Sequence, residues 1–449
     1  MKKIIAISFL LIMKHINGFP QEASEKEILS LEEAINLTLS NNYDIKIERY
    51  NEEVSENNVS RAVSGQLPRL EHNVSFEYGY SNAEIQTLGI SPGESSEPTE
   101  LDGTARTITI APELSIPIFN GFKRRYQYKQ LENRSAMSTL LVEQVMERVI
   151  SETVSAYLEV ARQQSLLEIN KETIEISRDR YLRVVEDAKY GLANSLRKLQ
   201  AEVDLKTDSA NYRNTLLAYE NSRRDLNLIM GQSPEKEFGV QESIVLSNDL
   251  SYDELFADMQ AENSQLNISE LGVKEASIET KIARATYFPQ VEGYANYTFL
   301  DSENDANFLQ SQQVSGPNVG FRMSWPVFTG GAQKIERQNA EVLLNQQQTV
   351  LNSAELSVSK QLRNAYAQYL NNKEQLRIEQ SNLEIYELNY EMTNEDFKLG
   401  LVDASDVRTA QLNLSAAKNR INNLNYSVKQ SEIRLMELSG RLRLQQQAL

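Results

Sequence analysis

The six residues Ile116–Gly121 read Ile-Pro-Ile-Phe-Asn-Gly, and a related stretch, Trp-Pro-Val-Phe-Thr-Gly, occupies Trp325–Gly330. Before each stretch, apolar and polar residues alternate with the period of two that is typical of a β-strand. After each stretch, proline is absent over a long distance, and glycine does not recur until Gly191 or, after Gly331, until Gly400. Such runs favour a helix, because proline and glycine are its strongest breakers. Both stretches therefore predict a join between a strand and a long helix, with candidate join residues Pro117, Phe119, Gly121, Pro326, Phe328 and Gly330.

The two joins belong to an internal duplication. A shift of 209 positions superimposes landmarks of the first half on landmarks of the second. They are Pro117, Gly121, Tyr157, Gly191 and Gly231, which fall on Pro326, Gly330, Tyr366, Gly400 and Gly440. Nearer the N-terminus, a shift of 221 positions relates Asn42 and Pro68 to Asn263 and Pro289. The change of offset fits an insertion of about 12 residues in a hairpin loop, where added length costs little.

Composition excludes several classes of function. The 449-residue chain has a formal net charge of −17, which argues against nucleic acid as a partner because phosphate binding needs a basic surface. It has no cysteine, which rules out disulfides, thiolate metal sites and an acylated N-terminal cysteine. Its histidines are His15 and His72, and no Ser-His-Asp set, P-loop or dinucleotide-binding glycine motif is present. We expect neither an enzyme nor a cofactor or metal site.

The N-terminus predicts a secretory signal peptide over residues 1–18. Lys2 and Lys3 form a basic start, and the apolar segment Ile4–Met13 is too short to span a bilayer. A buried N-terminal helix is the alternative. Elsewhere no run of about 18 apolar residues occurs. We therefore expect an exported protein that is either soluble or built around a β-barrel.

Four segments alternate apolar and polar residues, at about 70–81, 105–118, 290–300 and 315–328. Each has the length and the two-residue period of a transmembrane β-strand. A half-buried sheet in a soluble protein alternates identically, so the pattern leaves both interpretations open. If the strands cross a membrane, four are too few to close a barrel, and their edges need partners. Three copies of the chain would supply twelve strands, which is our reason to expect an oligomer.

The remaining segments predict helices. Long helices are expected over 121–189 and 331–398, and return helices over 194–230 and 403–438. Each long helix would reach roughly 100 Å. A further helix is expected from about 25 to 66, with a capping box that begins at Ser30.

Two apolar rows run along the second long helix at heptad spacing. One consists of Leu362, Tyr369, Leu376, Leu383, Tyr390 and Phe397, and the other of Ile378, Ile385, Met392 and Leu399. The counterpart of the first row in the first long helix is Val160, Leu167, Ile174, Tyr181 and Ala188. The two rows lie about 200° apart, so the helix has two partners. A dimeric coiled coil needs only one seam, whereas a wall of helices needs two.

Each long helix ends at a glycine turn that reverses the chain. The residues around these turns are apolar enough to dock a partner, although simple packing of the turns explains them as well. The candidate docking residues are Tyr190, Gly191, Leu192, Ser195, Leu196, Leu399, Gly400, Leu401, Ser405 and Val407. Asp403 and Asp406 begin the last return helix, where carboxylates are favourable as caps. In a symmetric oligomer the same two residues would form carboxylate rings that select cations at a pore entrance.

These elements define the expected organisation of the chain. A first structural repeat is predicted over 19–230 and a second over 263–440. A linker over 231–262 would form an equatorial collar, and a short tail follows over 441–449. The predicted fold class is an internally duplicated α+β protein.

The order of these features resembles that of the TolC-like outer membrane efflux proteins. The likeness rests on a signal peptide, two copies of helix–strand–strand–long helix–return helix, the two strand-to-helix joins, and the Gly-Leu turns at Gly191 and Gly400. It covers essentially the whole mature chain. It implies an α+β membrane protein with four transmembrane β-strands per chain, which form a twelve-stranded barrel as a trimer, plus a long periplasmic α-helical barrel.

The resemblance also implies a function and partners. Such proteins are homotrimeric, passive exit ducts in the outer membrane of Gram-negative bacteria, surrounded by outer membrane lipid. They dock with a periplasmic adaptor (membrane fusion) protein and, through it, with an inner-membrane pump, in tripartite efflux or type I secretion-like systems. The pump, whether of RND, ABC or MFS type, selects the cargo.

Site residues carry over from the family at matching positions only. The adaptor-contacting turns map onto Tyr190–Leu196 and Leu399–Val407, and the aspartate ring of the entrance matches Asp406. Two positions depart from the pattern of some members: Thr409 replaces a second aspartate, and Val402 replaces an arginine that locks the closed tip. The rival interpretation is a periplasmic coiled-coil scaffold with a soluble β cap. The apolar faces of all four strands argue against it.

Overall fold

The computed structural model describes residues 28–85, 98–191, 193–241, 250–306 and 310–442. The predicted signal peptide, Leu192 and most of the predicted tail lie outside these residues. The elements are, in order, β1 (Ile28–Leu29), α1 (Leu31–Asn41), α2 (Tyr43–Asn58), β2 (Arg69–Ile85), β3 (Thr99–Phe119), α3 (Lys123–Lys189), α4 (Ser195–Ile229), β4 (Gly239–Val240), α5 (Tyr252–Glu262), α6 (Ser264–Ala285), β5 (Gln290–Asn304), β6 (Ser311–Ser324), α7 (Ala332–Lys398) and α8 (Ala404–Leu438).

The chain divides into two compact units. The first comprises residues 1–42, 149–249 and 367–433, and the second comprises residues 43–148, 250–366 and 434–449. The first unit contains the short parallel pair of β1 and β4. The second contains a four-stranded antiparallel sheet in the order β2-β3-β5-β6.

The register of the sheet separates apolar from polar side chains. Leu114, Ala295 and Val319 are cross-strand neighbours, and so are Glu113, Asn296 and Asn318 one position away along the strands. Successive side chains of a strand point to opposite faces, so one row lies on an apolar face and the other on a polar face. β2 and β6 are the outer strands, and the sheet therefore has two open edges.

The strands correct the predicted boundaries. β2 continues to Ile85 and β3 already begins at Thr99, whereas the predicted strands end at about 81 and begin at about 105, so the hairpin is paired beyond both predicted ends. Backbone pairing continues there beyond the apolar alternation that the prediction relied on. β6 ends at Ser324, although a strand was predicted to residue 328. Ser324 is paired with Gln290, the first residue of β5, so β6 ends where its neighbouring strand offers no further partner.

The N-terminal helix is also divided differently from the prediction. The capping box is confirmed: Glu33 N donates to Ser30 Oγ at 3.2 Å, and Ser30 N donates to the Glu33 carboxylate at 2.9 Å. The helix that follows breaks at Asn42, between α1 and α2. Asn42 Nδ2 donates to the Ile229 carbonyl oxygen at 2.9 Å, so the side chain at the break satisfies an end carbonyl of α4.

The duplication is visible in equivalent contacts. Asn263, the counterpart of Asn42, donates to the Leu438 carbonyl oxygen at 3.0 Å and so satisfies the end of α8. Tyr157 donates its hydroxyl to the Leu29 carbonyl oxygen at 2.9 Å, and Tyr366 donates to that of Leu250 at 3.1 Å. Burial raises the pKa of Tyr157, which keeps the hydroxyl protonated as a donor.

The core of the first unit forms around Tyr157. Its hydroxyl also accepts a hydrogen bond from Gln241 N at 3.1 Å, so one side chain on α3 contacts the segments that carry β1 and β4. The buried side chains around it include Leu29, Val160, Leu226 and Phe238. Their burial removes apolar surface from water and fixes the short strands against the long helix.

Two equivalent glycines at the joins provide a matched test of packing. Gly121 and Gly330 both have left-handed φ angles, +67° and +63°. A Cβ at Gly121 would lie 2.6 Å from the Ala285 carbonyl oxygen and 2.8 Å from Phe288 Cβ, whereas Gly330 has no such atom within 4 Å. Alanine costs about 1–2 kcal/mol of backbone strain at either position. At Gly121 it adds overpacking of about 1–3 kcal/mol.

We therefore expect Gly121→Ala to lower the midpoint of thermal unfolding more than Gly330→Ala. The midpoint is measured by circular dichroism of the purified protein. Equal midpoints for the two variants would contradict the close approach of α6 to the first join.

Candidate functional site

The two predicted turns lie in the first unit and have the same backbone geometry. Gly191 ends α3 and Gly400 ends α7, each with φ of +75°. Their amides donate to the carbonyl oxygens of Ala188 at 3.3 Å and Phe397 at 3.0 Å. Only glycine adopts this conformation without cost, which explains why both helices stop at a glycine.

The return helices α4 and α8 begin immediately after these turns. Asn194 caps α4, because its side-chain oxygen accepts a hydrogen bond from Arg197 N at 2.9 Å. At α8, the Asp406 carboxylate accepts one from Asp403 N at 3.0 Å. Each cap satisfies an amide that the helix itself leaves unpaired.

The two predicted entrance carboxylates are therefore both engaged within the chain. Asp403 forms an ion pair with Arg197 at 2.8 Å, and both side chains are about half exposed, so solvent weakens the pair. Asp406 caps α8 and remains exposed. The capping role is observed, while a carboxylate ring needs further copies of the chain and stays a prediction.

Most of the predicted docking residues are exposed. Tyr190, Leu399 and Leu401 are each more than 70% exposed. Leu196, Ser195, Ser405 and the two glycines are exposed as well, and Leu192 lies outside the described residues. Val407 is 2% exposed, so its assignment to a docking surface was wrong. It belongs to the buried face of α8 that also includes Leu414, Val428 and Leu435.

A buried polar network behind the turns joins α3, α4 and α8. Arg408 of α8 forms a two-pronged ion pair with Asp208 of α4, at 2.6 and 2.9 Å. Arg180 of α3 pairs with Asp204 of α4 at 2.9 Å and donates to Gln411 Oε1 of α8 at 2.8 Å.

Two further contacts complete the network. Ser177 donates to Asp208, and Gln411 Nε2 donates to Ser177 Oγ at 3.1 Å. Burial lowers the pKa of Arg180, and Asp204 opposes this effect. A guanidinium remains charged even so, and the two arginines and two aspartates balance one another. Ion pairs this deep contribute little net stability, but removing one partner leaves a buried charge.

Sequence reasoning missed this network. It placed Ile174 and Tyr181 in the apolar row of α3 near its C-terminal end, and both are only half-buried. The buried positions there are Thr173, Ser177 and Arg180. The available signal was their spacing of four and three residues, which is that of a buried helix face. Their polar character concealed it.

A cavity of about 550 Å³ lies between the beginnings of α4 and α8, also within the first unit. Its lining includes Arg180, Arg197, Asp204, Asp403 and Arg408. The cavity therefore combines the exposed Arg197–Asp403 pair with the buried network.

The join residues lie in the second unit and differ between the two copies. The ladder between β3 and β5 shifts register between Pro117 and Phe119. The Phe119 ring contacts the Phe122 and Phe288 rings edge-on, with centroids 5.5 and 6.5 Å away, and Gly121 is buried. In the second copy Pro326 is half-buried, while Phe328 and Gly330 are exposed.

Within the described parts of the chain, no group of three or more acidic, histidine or cysteine side chains could hold a metal ion. Over the same residues, none of the helices combines the length and hydropathy needed to cross a bilayer.

The network gives a second matched test. We expect Asp208→Asn to destabilise the protein by up to about 3–5 kcal/mol, because it removes the closer carboxylate partner of the largely buried Arg408 and leaves only Asp204, at 3.8 Å. Asp403→Asn makes the same chemical change in an exposed pair and should cost about 0–1 kcal/mol. Denaturant unfolding followed by circular dichroism measures both, and a loss for Asp208→Asn no larger than that for Asp403→Asn would contradict the role of the network.

Comparison with solved structures identifies the fold. The outer membrane channel CmeC of Campylobacter jejuni is 20% identical and superimposes with a TM-score of 0.73, covering 91% of this chain and 85% of CmeC. VceC of Vibrio cholerae is 14% identical with a TM-score of 0.70, covering 91% and 96%. The open-state MtrE channel of Neisseria gonorrhoeae is 15% identical with a TM-score of 0.69, covering 91% and 88%. The predicted fold class, that of TolC-like channels, is confirmed.

Sequence comparison identifies the family. Protein CyaE of Bordetella pertussis is 23% identical over 226 residues, which are 50% of this chain and 47% of CyaE, so the alignment spans about half of that relative. The family model for outer membrane efflux proteins matches twice, over residues 34–232 and 255–441, as the duplication requires. This is a family of channels and not of enzymes, which confirms that prediction. The chain is a member of the outer membrane efflux protein family.

Proposed function

We propose that three copies of this chain form a passive exit channel in the outer membrane of a Gram-negative bacterium. The channel docks through a periplasmic adaptor with an inner-membrane pump. The observation that carries the proposal is that the sheet and the helical layers of a single chain all end in unpartnered apolar edges. A second copy of the chain covers each edge.

The sheet supplies the first pair of edges. β2 exposes Val74, Phe76 and Tyr78, and β6 exposes Val319 and Phe321, the last two at 82%. Unpaired backbone groups of a long edge strand cannot remain in a bilayer. Pairing β6 of one copy with β2 of the next satisfies both edges, as closure of a barrel does.

The helices of the first unit supply a second pair. Within the unit, α3 contacts α4 on one side and α8 on the other, and α8 contacts α7. The contacts are Asn170 with Thr215 at 2.8 Å, Glu172 with Lys418 at 2.8 Å, and Glu379 with Arg420 at 3.0 Å. The outer helices of this layer are therefore α4 and α7.

Both outer helices expose apolar rows. On α7 the exposed row is Ile378, Ile385 and Met392, which is the second heptad row of the sequence. On α4 it is Leu196, Val203 and Leu217, seven or fourteen residues apart. The central helix α3, which has the same length as α7, exposes only Leu182 among its large apolar side chains. Two apolar rows on outer helices fit a seam in which α7 of one copy packs against α4 of the next.

The second unit repeats the arrangement. α3 contacts α2 and α6, and α6 contacts α7, through Arg148 with Asp44 at 2.9 Å, Arg134 with Glu275 at 2.8 Å, and Arg284 with Glu341 at 3.3 Å. The outer helices α2 and α7 again expose apolar residues: Tyr43, Ile47, Tyr50 and Val54 on α2, and Ile335 and Val342 on α7.

These edges differ from one another, so each contact between copies is head-to-tail, and such contacts form a ring when the rotation between successive copies closes. Two copies would give an eight-stranded barrel, and side chains fill the interior of a barrel of that size. Larger barrels leave an aqueous channel. Three copies give twelve strands and room for cargo.

The polar face of the sheet suits the lumen of this ring. Arg322 lies 3.8 Å from carboxylate oxygens of both Glu113 and Glu292. Asn318 Nδ2 donates to Asn296 Oδ1 at 3.1 Å on the same face. Such a lining keeps water in the channel, and cargo passes without any catalytic step.

The exposed apolar residues at the two glycine turns, Tyr190, Leu399 and Leu401, are the proposed adaptor contact. Asp403 and Asp406 lie beside them and are the proposed cation-selective entrance. Arg197 compensates Asp403, so Asp406 is the stronger contributor.

Single-channel recording in planar bilayers tests this function. We expect discrete, cation-preferring conductance steps from the purified protein. Asp403→Asn/Asp406→Asn should lower the cation-to-anion permeability ratio, measured from the reversal potential. Glu384→Gln/Glu387→Gln removes the same charge away from the turns and serves as the control. Unchanged selectivity in the first variant would show that Asp403 and Asp406 do not form a cation-selective entrance. A protein that stays soluble without detergent and never conducts would contradict the proposed channel function.

Native mass spectrometry tests the seam between copies. Ile385→Asp places a charge in the exposed apolar row of α7 and should shift the protein from trimer to monomer, because a buried unpaired charge is costly. Gln380→Glu adds the same charge to an exposed polar position on another side of α7 and should leave the trimer intact. If both variants stay trimeric, this row does not form the seam.

A further inference from the structure

A basic cluster follows the first strand-to-helix join. Lys123, Arg124 and Arg125 are consecutive at the beginning of α3, in a chain whose net charge is −17. Among the described residues, no carboxylate or carbonyl oxygen accepts a hydrogen bond from the guanidinium group of Arg124 or Arg125. Most other arginines of the second unit form ion pairs, as Arg134 and Arg148 do.

The cluster borders a cavity of about 260 Å³ in the second unit. Arg124, Arg125, Gln66 and Asn120 supply its polar lining, and Phe119 and Phe122 contribute apolar walls. Burial lowers the pKa of Arg124 and the Arg69 charge adds to this effect, while Glu292 opposes it. The cavity therefore offers the guanidinium groups of Arg124 and Arg125 beside two aromatic rings, and the guanidinium of Arg124 is partly removed from water.

The second copy of the repeat shows that this chemistry is not needed to build the join. At the equivalent positions it has Gly331, Ala332, Gln333 and Lys334. Its neutral Gln333 replaces Arg124, and Gln333 Nε2 simply donates to the Thr286 carbonyl oxygen at 2.7 Å. The fold thus tolerates a neutral residue where the first copy has an arginine.

Phe122 is a second position at which the first copy carries a residue that the join does not require. It has a left-handed φ of +66°, whereas its counterpart is Gly331 with φ of +89°. The left-handed region costs a residue other than glycine about 1–2 kcal/mol. The Phe122 ring is nevertheless 54% exposed. A strained backbone that holds an aromatic ring towards the outside indicates a function for the ring.

We propose that the cavity formed by Arg124, Arg125, Asn120 and Phe122 binds the phosphate group of an anionic phospholipid. The proposal rests on the proposed function, because only then does the end of β3 lie at the membrane surface.

The chemistry favours a lipid over a free anion. An arginine fork matches two phosphate oxygens, and a partly desolvated guanidinium binds them more strongly. Phe119 and Phe122 would contact the glycerol and the first acyl carbons, as aromatic residues do at the headgroup level of membrane proteins. A zwitterionic lipid carries its own ammonium group, which competes with the arginines, so an anionic headgroup is preferred.

Native mass spectrometry of the detergent-purified protein, titrated with phosphatidylglycerol or phosphatidylethanolamine of matched acyl chains, tests the site. We expect phosphatidylglycerol to be retained preferentially. Arg124→Gln/Arg125→Gln should weaken its binding by about thirtyfold. Lys171→Gln/Lys360→Gln, which removes two exposed charges far along the helices from the join, should not. Phe122→Gly should weaken binding as well while preserving the fold, because it copies the second repeat.

The outcomes separate the alternatives. Equal retention of phosphatidylglycerol by the wild-type protein and by Arg124→Gln/Arg125→Gln overturns the proposal. Displacement of the lipid by inorganic phosphate shows a site for free anions and overturns it too. The same preparations are recorded in planar bilayers: conductance without lipid preference removes this site alone, whereas absence of conductance from a soluble protein removes the proposed channel and the lipid site together.

Discussion

Every backbone amide and carbonyl group of a strand within a membrane has to be hydrogen-bonded to protein, and this requirement governs the whole chain. A single copy provides four strands and leaves both β2 and β6 with one neighbour. The helical layers are incomplete in the same sense, since α7 and α4 expose apolar rows that a soluble monomer would bury. Oligomer, barrel and lumen in our proposal all follow from closing these edges.

Duplication makes such edges easy to build, and the differences between the two copies carry the specific chemistry. Matching glycines, tyrosines and asparagines hold both repeats in the same backbone geometry, as Tyr157 and Tyr366 do. The copies diverge where charge is placed. The network of Arg180 and Arg408 with Asp204 and Asp208 links helices of both repeats. It does not recur at the positions related by the duplication, because the counterpart of Arg408 is Leu199. This network makes α8 a specific neighbour of α3, because its charged partners occur only in this arrangement of the two helices.

Much of the fold could be predicted, because hydrophobic periodicity and glycine–proline punctuation are local signals. The second apolar row of α7 already indicated that this helix has two partners, and the structure leaves Ile385 and Met392 exposed. Element ends were less predictable. Pairing continues in the first hairpin where alternation has stopped, and β6 ends before Pro326.

The site was harder to predict for a physical reason. Arg408 and Asp208 are far apart in the chain, and nothing local marks a charged residue as buried when its partner is on another helix. Val407 was misassigned because an apolar residue beside a turn has the same sequence signal whether it faces a partner or the core. The arginines at the first join stand out only by comparison with the second copy, where Gln333 occupies the position of Arg124.

The most direct test of the account is a disulfide between the two sheet edges. The natural chain has no cysteine, so Phe76→Cys on β2 and Phe321→Cys on β6 would be its only thiols. Within one chain these strands are three strand spacings apart, about 14 Å, which is too far for a disulfide. We predict that mild oxidation in membranes yields cross-linked species of two and three chains and none larger. A product that remains a single chain, or a ladder that continues beyond three, would contradict the closed trimeric ring.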